Sequence, residues 1–226
     1  CRFVNNVGNR YTVYVDTNYT NNNLLKINDT VFDSNTVKYG RTDGDAALLY
    51  IAYGNSVQMS DCTITKTQGE GGTLDKDGNA VPATGIFTNV TITDNKNCYY
   101  TPVSLTNANS ADSDAWKTLS IQAQSTWTDC TITGNAASIT SRRDAAGGFE
   151  VYKQNVTLDS CTISDNSGPN GGVYVSSPLT NYGFGDPQEG VVTFTNCDIT
   201  GNHGTVALGA GGMGISYYQS VRGIVN

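Results

Sequence analysis

The sequence predicts an all-β solenoid, and three observations predict it. One short string recurs along the whole chain, its residues alternate between apolar and polar, and a second apolar run led by small residues recurs in step with it. The string is clearest as Asp61-Cys62-Thr63-Ile64-Thr65, Asp129-Cys130-Thr131-Ile132-Thr133-Gly134-Asn135, Ser160-Cys161-Thr162-Ile163-Ser164-Asp165-Asn166 and Asn196-Cys197-Asp198-Ile199-Thr200-Gly201-Asn202. A fifth copy, Asn89-Val90-Thr91-Ile92-Thr93-Asp94-Asn95, has Val in place of Cys. Asp29-Thr30-Val31-Phe32-Asp33-Ser34-Asn35 is a degraded copy, and the chain opens on Cys1-Arg2-Phe3-Val4-Asn5-Asn6. Self-similarity of this kind marks a repeat architecture.

The spacing of the Cys positions ranges from 28 residues (62 to 90) to 40 residues (90 to 130). A fixed string at variable spacing places the variation in loops. Within the string, period two sends Cys and Ile to one face and both Thr to the other. Three residues before each Cys position stands a large apolar residue: Ile27, Met59, Phe87, Trp127, Leu158 and Phe194. Its parity is opposite to that of the Cys, so the chain must turn a corner between them. The residue just before the Cys position is Asp29, Asp61, Asn89, Asp129, Ser160 or Asn196, all turn formers.

Past the Ile comes a corner Asn: Asn6, Asn35, Asn95, Asn135, Asn166 and Asn202, with Thr67 as the one exception. Asn at a corner tolerates the left-handed conformation, and its amide can stack on the next copy. The second apolar runs are Ala46-Ala47-Leu48-Leu49, Gly147-Gly148-Phe149, Gly171-Gly172-Val173-Tyr174-Val175 and Gly211-Gly212-Met213-Gly214-Ile215. Each coil then carries about three short strands, and about seven coils stacked roughly 4.8 Å apart make a column roughly 34 Å long. This is a parallel β-helix, read as a single domain over residues 1–226. Its inward ladders are Cys1, Cys62, Val90, Cys130, Cys161 and Cys197 beside Phe3, Phe32, Ile64, Ile92, Ile132, Ile163 and Ile199.

These strings resemble the right-handed parallel β-helix repeats of adhesin-like surface proteins, including the chlamydial polymorphic outer-membrane type. That family carries Phe-x-x-Asn and Gly-Gly-Ala-Ile tetrads. Phe3 to Asn6 and Phe32 to Asn35 match the first tetrad. Ile92 to Asn95, Ile132 to Asn135, Ile163 to Asn166 and Ile199 to Asn202 match with Ile for Phe. Gly171-Gly172-Val173-Tyr174 approximates the second. The resemblance implies a right-handed solenoid and an extracellular or cell-surface location. The tetrads are structural and imply no activity.

Composition bounds the function. Charged residues make up 15% of the 226, and the net charge is −7 with Asn, Thr, Ser and Gly plentiful. That argues against a nucleic-acid partner, which needs basic stripes. No apolar run approaches the ~20 residues of a membrane span. The sequence shows no signal peptide and no anchor, which reads as a mature fragment. Five of the six Cys occupy the ladder position. Stacked side chains one strand apart suit disulfide geometry badly, so these read as buried reduced thiols. Cys98, off the ladder, is the expected exposed thiol.

Taken in order, Tyr11 to Val15 reads as an alternating strand of the first coil, and Ala46 to Tyr53 as a buried strand of the second. In the third coil Asp75, Asp77 and Asn79 resemble a calcium loop, but Ile86 stands where the closing Glu is required. Two strands around Lys76-Asp77-Gly78-Asn79 read better as a projecting β-hairpin, so no metal and no cofactor are expected. Residues 96–118 form an excursion of the fourth coil, with Tyr99, Tyr100 and Trp116; residues 176–190 form a second, with Tyr182 and Phe184. The aromatics read first as packing these loops back on the column; with residues 66–84 and 136–146 the loops would carry whatever recognition exists, and aromatics left exposed there would suit a glycan or protein partner.

The tail reads Arg222-Gly223-Ile224-Val225-Asn226. Ile224 would sit three before a Cys position at 227, so the end would run in phase into Cys1 and Phe3. This predicts end-to-end contact of copies through Ile224, Asn226, Cys1 and Phe3, either in a fibre or in a tandem array.

Catalysis is not expected. The only histidine, in Asn202-His203-Gly204, follows a corner Asn, and Arg142-Arg143-Asp144 stands alone. Asp33 and Asp198 align with Thr65 and Thr162, so neither has the stacked second carboxylate that glycoside hydrolysis requires. The outward pairs Thr63/Thr65, Thr91/Thr93, Thr131/Thr133, Thr162/Ser164 and Asp198/Thr200 form a hydroxyl array of the kind seen on some β-solenoid antifreeze proteins, which makes ice binding a further reading. The leading expectation is a structural and adhesive rod, with a carbohydrate-active enzyme as the alternative.

Overall fold

The structure is a computed structural model that describes residues 1–8, 11–15, 24–37, 47–51, 56–69, 72–76, 84–96, 103–105, 124–138, 146–152, 155–177, 191–207, 209–217 and 222–225. Among these residues it is an all-β parallel solenoid with no helix, and every strand pairing is parallel. The chain winds over three faces. The first is a 12-stranded sheet that includes Leu24–Asn28, Ser56–Thr65, Thr84–Thr93, Gln124–Thr128, Asn155–Asp159 and Val191–Thr195. The second consists of a three-stranded piece, Val7–Gly8, Thr36–Val37 and Gln68–Gly69, and a two-stranded piece, Ser167–Gly168 and His203–Gly204. The third is a 7-stranded sheet running from Tyr11–Val15 through Ala47–Ile51, Gly72–Lys76, Val103–Leu105, Phe149–Tyr152 and Val173–Ser177 to Met213–Tyr217. All three faces are continuous together over about three turns, the extent of the three-stranded piece, and not over the seven coils expected.

The corner before each Cys is a single residue. Asp29, Asp61, Asn89, Asp129, Ser160 and Asn196 all have φ between 47° and 56°. A left-handed residue shifts the side-chain alternation by one, so Met59 and Cys62 both reach the interior although an odd number of bonds separates them. Asp, Asn and Ser bear this conformation because their short polar side chains bond locally. Pairing continues through the corner, so Ser56–Thr65 and Thr84–Thr93 are unbroken strands.

A second left-handed column, Asn5, Ser34, Lys66, Asp94, Gly134, Asp165 and Gly201, turns the chain onto the second face. The expectation put this conformation on the corner Asn; it falls one residue earlier. That leaves Asn35, Asn95, Asn135 and Asn166 pointing inward and fully buried.

The core is a set of in-register columns. Phe3, Phe32, Ile64, Ile92, Ile132, Ile163 and Ile199 are successive partners. So are Ile27, Met59, Phe87, Trp127, Leu158 and Phe194. Phe87 stacks on Trp127 with ring centroids 3.9 Å apart and an interplanar angle of 13°, and Phe149 meets Trp127 edge-on at 5.1 Å. Cys1 and Phe3 are exposed at the outermost described turn, and Cys197 and Ile199 are half-buried. On the third face the column runs Val13, Leu49, Leu74, Val103, Phe149, Val173 and Met213. Backbone packs closely where small residues lead that face. A Cβ on Gly172 would lie 2.6 Å from the Gly212 carbonyl oxygen and 2.7 Å from Asn202 Nδ2.

Two expectations are corrected. Gly72–Lys76 is not one arm of a projecting hairpin; it pairs in parallel with Ala47–Ile51 and Val103–Leu105. Val103–Leu105 likewise interrupts the supposed excursion at 96–118. Both join the third face in register, Leu74 pairing with Leu49 and Val103, and Val103 with Phe149.

The tail is corrected as well. Val225, not Ile224, pairs with Phe194, while Ile224 pairs with Thr193. The alternative register would set Arg222 opposite Val192, which is buried, and an unpaired charge in that interior is costly. Ile224 is therefore one residue out of the phase expected of it; Asn226 lies outside the described residues.

Candidate binding surface and the interior ladders

The corner amides form a hydrogen-bonded column. Asn95 Nδ2 donates to Asn135 Oδ1 at 2.9 Å, Asn135 Nδ2 to Asn166 Oδ1 at 3.0 Å and Asn166 Nδ2 to Asn202 Oδ1 at 3.0 Å. Each amide also donates to a carbonyl of the preceding turn: Asn95 to Ile64, Asn135 to Ile92, Asn166 to Ile132 and Asn202 to Ile163. The backbone N–H groups of Asn95, Asn135 and Asn166 donate to the next Oδ1. Asn6 and Asn35 form a separate short piece, with Asn6 Nδ2 to Asn35 Oδ1 at 2.9 Å. Between the pieces stands Thr67. Its N–H donates to Asn95 Oδ1 at 2.8 Å, but its buried hydroxyl has no partner.

The ladder thiols are also polar connectors. Cys62 Sγ lies 3.5 Å from the Ile27 carbonyl of the preceding turn and 3.1 Å from that of Ser60. Cys130, Cys161 and Cys197 repeat this with Phe87, Trp127 and Leu158. Cys1, Cys62, Cys130, Cys161 and Cys197 are free thiols. Burial pushes the Cys62 and Cys197 thiols above their ordinary value, and the Cys130 thiol beside it, then burial, does the same for Cys161. Reading Cys only as a small hydrophobe misses this role; the signal was its fixed place three residues past an apolar residue, which sets each thiol against the carbonyl of the equivalent apolar residue one turn earlier.

Outside, the hydroxyl residues align. Thr63, Thr91, Thr131, Thr162 and Asp198 are one column, and Thr65, Thr93, Thr133, Ser164 and Thr200 the next. Thr133 Oγ1 and Ser164 Oγ are 2.9 Å apart. Asp33 pairs in register with Thr65, and Asp198 with Thr162.

A cleft of about 400 Å³ opens at the second corner column, lined by Ser34, Lys66, Gln68, Asp94 and Lys96. Ser34, Lys66 and Asp94 are the left-handed residues of successive turns, and Gln68 and Lys96 each follow a corner position. Lys66, Gln68, Asp94 and Lys96 are exposed. Sequence reasoning missed this group because its members come from three different turns.

The weak metal candidate does not assemble. Asp75 lies within the third-face strand, and Asp77 and Asn79 lie outside the described residues. Among the described residues no group of three His, Cys, Asp or Glu side chains is placed to hold a metal ion. Tyr99, Tyr100, Trp116, Tyr182, Phe184, Cys98 and Arg142 to Asp144 also lie outside them. His203 is exposed on a second-face strand beside Ser167.

Comparison with protein families, with curated proteins and with solved structures returns no match. Among the described residues no helix is long and apolar enough to cross a membrane.

Proposed function

We propose that the chain is a structural and adhesive segment of an extracellular or cell-surface protein. In this reading it is a right-handed β-helix of about seven coils, of the adhesin-like kind, and it catalyses no reaction. The observation that carries the proposal is the axial amide column. Buried Asn95, Asn135 and Asn166 and half-buried Asn202 commit their side chains to bonds between turns, which stiffens the column along its length instead of furnishing a reaction centre. The surface of few charges and many Asn, Thr, Ser and Gly suits a stalk that holds loops away from a cell. Electron microscopy and fibre diffraction of the native material test it. Stalks one solenoid wide with an axial reflection at about 4.8 Å are expected. Turnover of a polysaccharide by the purified chain would overturn the non-catalytic reading.

A second reading, ice binding, is favoured by the two in-register hydroxyl columns from Thr63 to Thr200. Thermal hysteresis that is lost on Thr131→Arg would support it. Absence of hysteresis and of ice shaping would dismiss it.

A further inference from the structure

We infer that the cleft at Ser34, Lys66, Gln68, Asp94 and Lys96 is a binding site for an acidic polysaccharide, whose anionic groups pair with Lys66 and Lys96. This rests on the adhesive reading and gives it a partner class, but it places recognition on the column and not on the loops.

Three observations meet at this spot. The first is the opening itself, with two ammonium groups, a carboxylate, a hydroxyl and an amide around it. Among the described residues neither Lys66 nor Lys96 makes a side-chain hydrogen bond or ion pair; only their backbone N–H groups are engaged, with Thr93 and Thr67. Two cations against the single carboxylate of Asp94, neither of them held in an ion pair, leave the cleft with an excess positive charge in a chain of net charge −7.

The second is backbone strain. Lys66 has φ 54°, at a column otherwise filled by Asn, Ser, Asp and Gly, the residues that bear this conformation cheaply. A Lys kept there at a steric cost points to a use for its side chain. The third is the neighbouring Thr67, the one break in the corner-Asn series, whose hydroxyl is buried without a partner. Departures from a repeat's own rules cluster at functional positions. Residues 66 and 67 depart together, and Lys66 and Gln68 on either side of Thr67 line the cleft.

The ligand class follows from the layout. Ser34, Lys66 and Asp94 lie on successive turns, roughly 4.8 Å apart along the axis. The groups thus extend for about 10 Å along an open surface, which fits a stretch of chain molecule better than a single small ion. Ammonium groups hold its carboxylates or sulfates. Ser34, Gln68 and the Asp94 carboxylate, an acceptor, match the hydroxyls of sugar rings.

The test uses the full chain with polygalacturonate, dextran sulfate and neutral dextran as probes in affinity electrophoresis and calorimetry at low salt. Lys66→Asn restores the residue type the column prefers, so its melting temperature should hold or rise while affinity falls about 2- to 5-fold, the size of one lost solvent-exposed ion pair. Lys96→Gln should behave alike, and the double variant should lose binding. Binding of polygalacturonate supports a carboxylate ligand and binding of dextran sulfate alone a sulfated one. Binding of neither, equal binding of neutral dextran, or undiminished binding by the double variant would overturn the inference. The stalk reading is judged separately by microscopy, so either can fail without the other.

Discussion

Replacing Thr67 by Asn should stabilise the protein. Thr67 stands where Asn35 and Asn95 stand in the turns before and after, and its backbone already lies in register. Its N–H meets Asn95 Oδ1 at 2.8 Å, its carbonyl accepts from Lys96 N–H at 3.2 Å, and Gln68 N–H donates to Asn35 O at 3.0 Å. An amide there inherits the geometry of its neighbours. Nδ2 would donate to the Phe32 carbonyl and to Asn95 Oδ1, and Oδ1 would accept from Asn35. The buried orphan hydroxyl disappears at the same time. An unsatisfied buried polar group costs about 1–3 kcal/mol, and each new bond contributes about 0.5–1.5 kcal/mol net. Allowing for imperfect recovery, the gain should be about 1–3 kcal/mol. For a chain of this size that raises Tm by roughly 2–4 °C per kcal/mol. Thr67→Val, which only deletes the hydroxyl, should give a smaller gain. Denaturant titration and thermal melts of both variants measure this. If Asn is neutral or destabilising while Val stabilises, the amide column is not the source of axial cohesion and the reasoning fails.

Asn135→Leu should cost about 3–5 kcal/mol, because it strands the Ile92 carbonyl and the Asn95 N–H and amide in the interior; a loss under about 1 kcal/mol in urea titration would contradict this. Trp127→Ala removes the ring between Phe87 and Phe149 and should cost about 3–5 kcal/mol, read by the same titration. Stability should fall as pH rises above the ordinary thiol value of 9.0. The unfolded chain ionises there, while the raised Cys62 and Cys197 thiols keep their protons when folded; the hydrogen-bonded Cys130 and Cys161 thiols shift in opposite directions and offset each other. Melts from pH 8 to 10.5 should show this, with a flatter profile when Cys62 and Cys197 are replaced by Val. Alkylation followed by peptide mapping should label Cys1 under native conditions and leave Cys62, Cys130 and Cys161 unlabelled until denaturant is added.

The sequence made the interior columns of the first face legible because identity and position repeat together there: Ile64, Ile92, Ile132 and Ile163 need only be aligned. The third face was harder. Leu49, Leu74, Val103 and Phe149 share a register and nothing else, so Gly72–Lys76 passed for a hairpin arm and Val103–Leu105 for part of a loop. The left-handed positions were legible by residue type before each Cys; at the second corner Lys66, which precedes Thr67, does not advertise a turn. The tail was misread by one residue because Ile224 and Val225 are both apolar, and only the cost of turning Arg222 inward separates the registers. The cleft could not be read at all, since stacking brings its residues together from separate strings.

The amide column has a direction. Every Oδ1 from Asn135 to Asn202 accepts from the turn before it, so the side-chain dipoles all point the same way along the axis. They add, as peptide dipoles add in a helix, and leave oxygen toward the N-terminal turn and hydrogen toward the C-terminal one. A rod built this way is electrically a vector. Two rods meeting face to face through equivalent ends would oppose like poles, whereas rods running parallel in file would continue the same alignment.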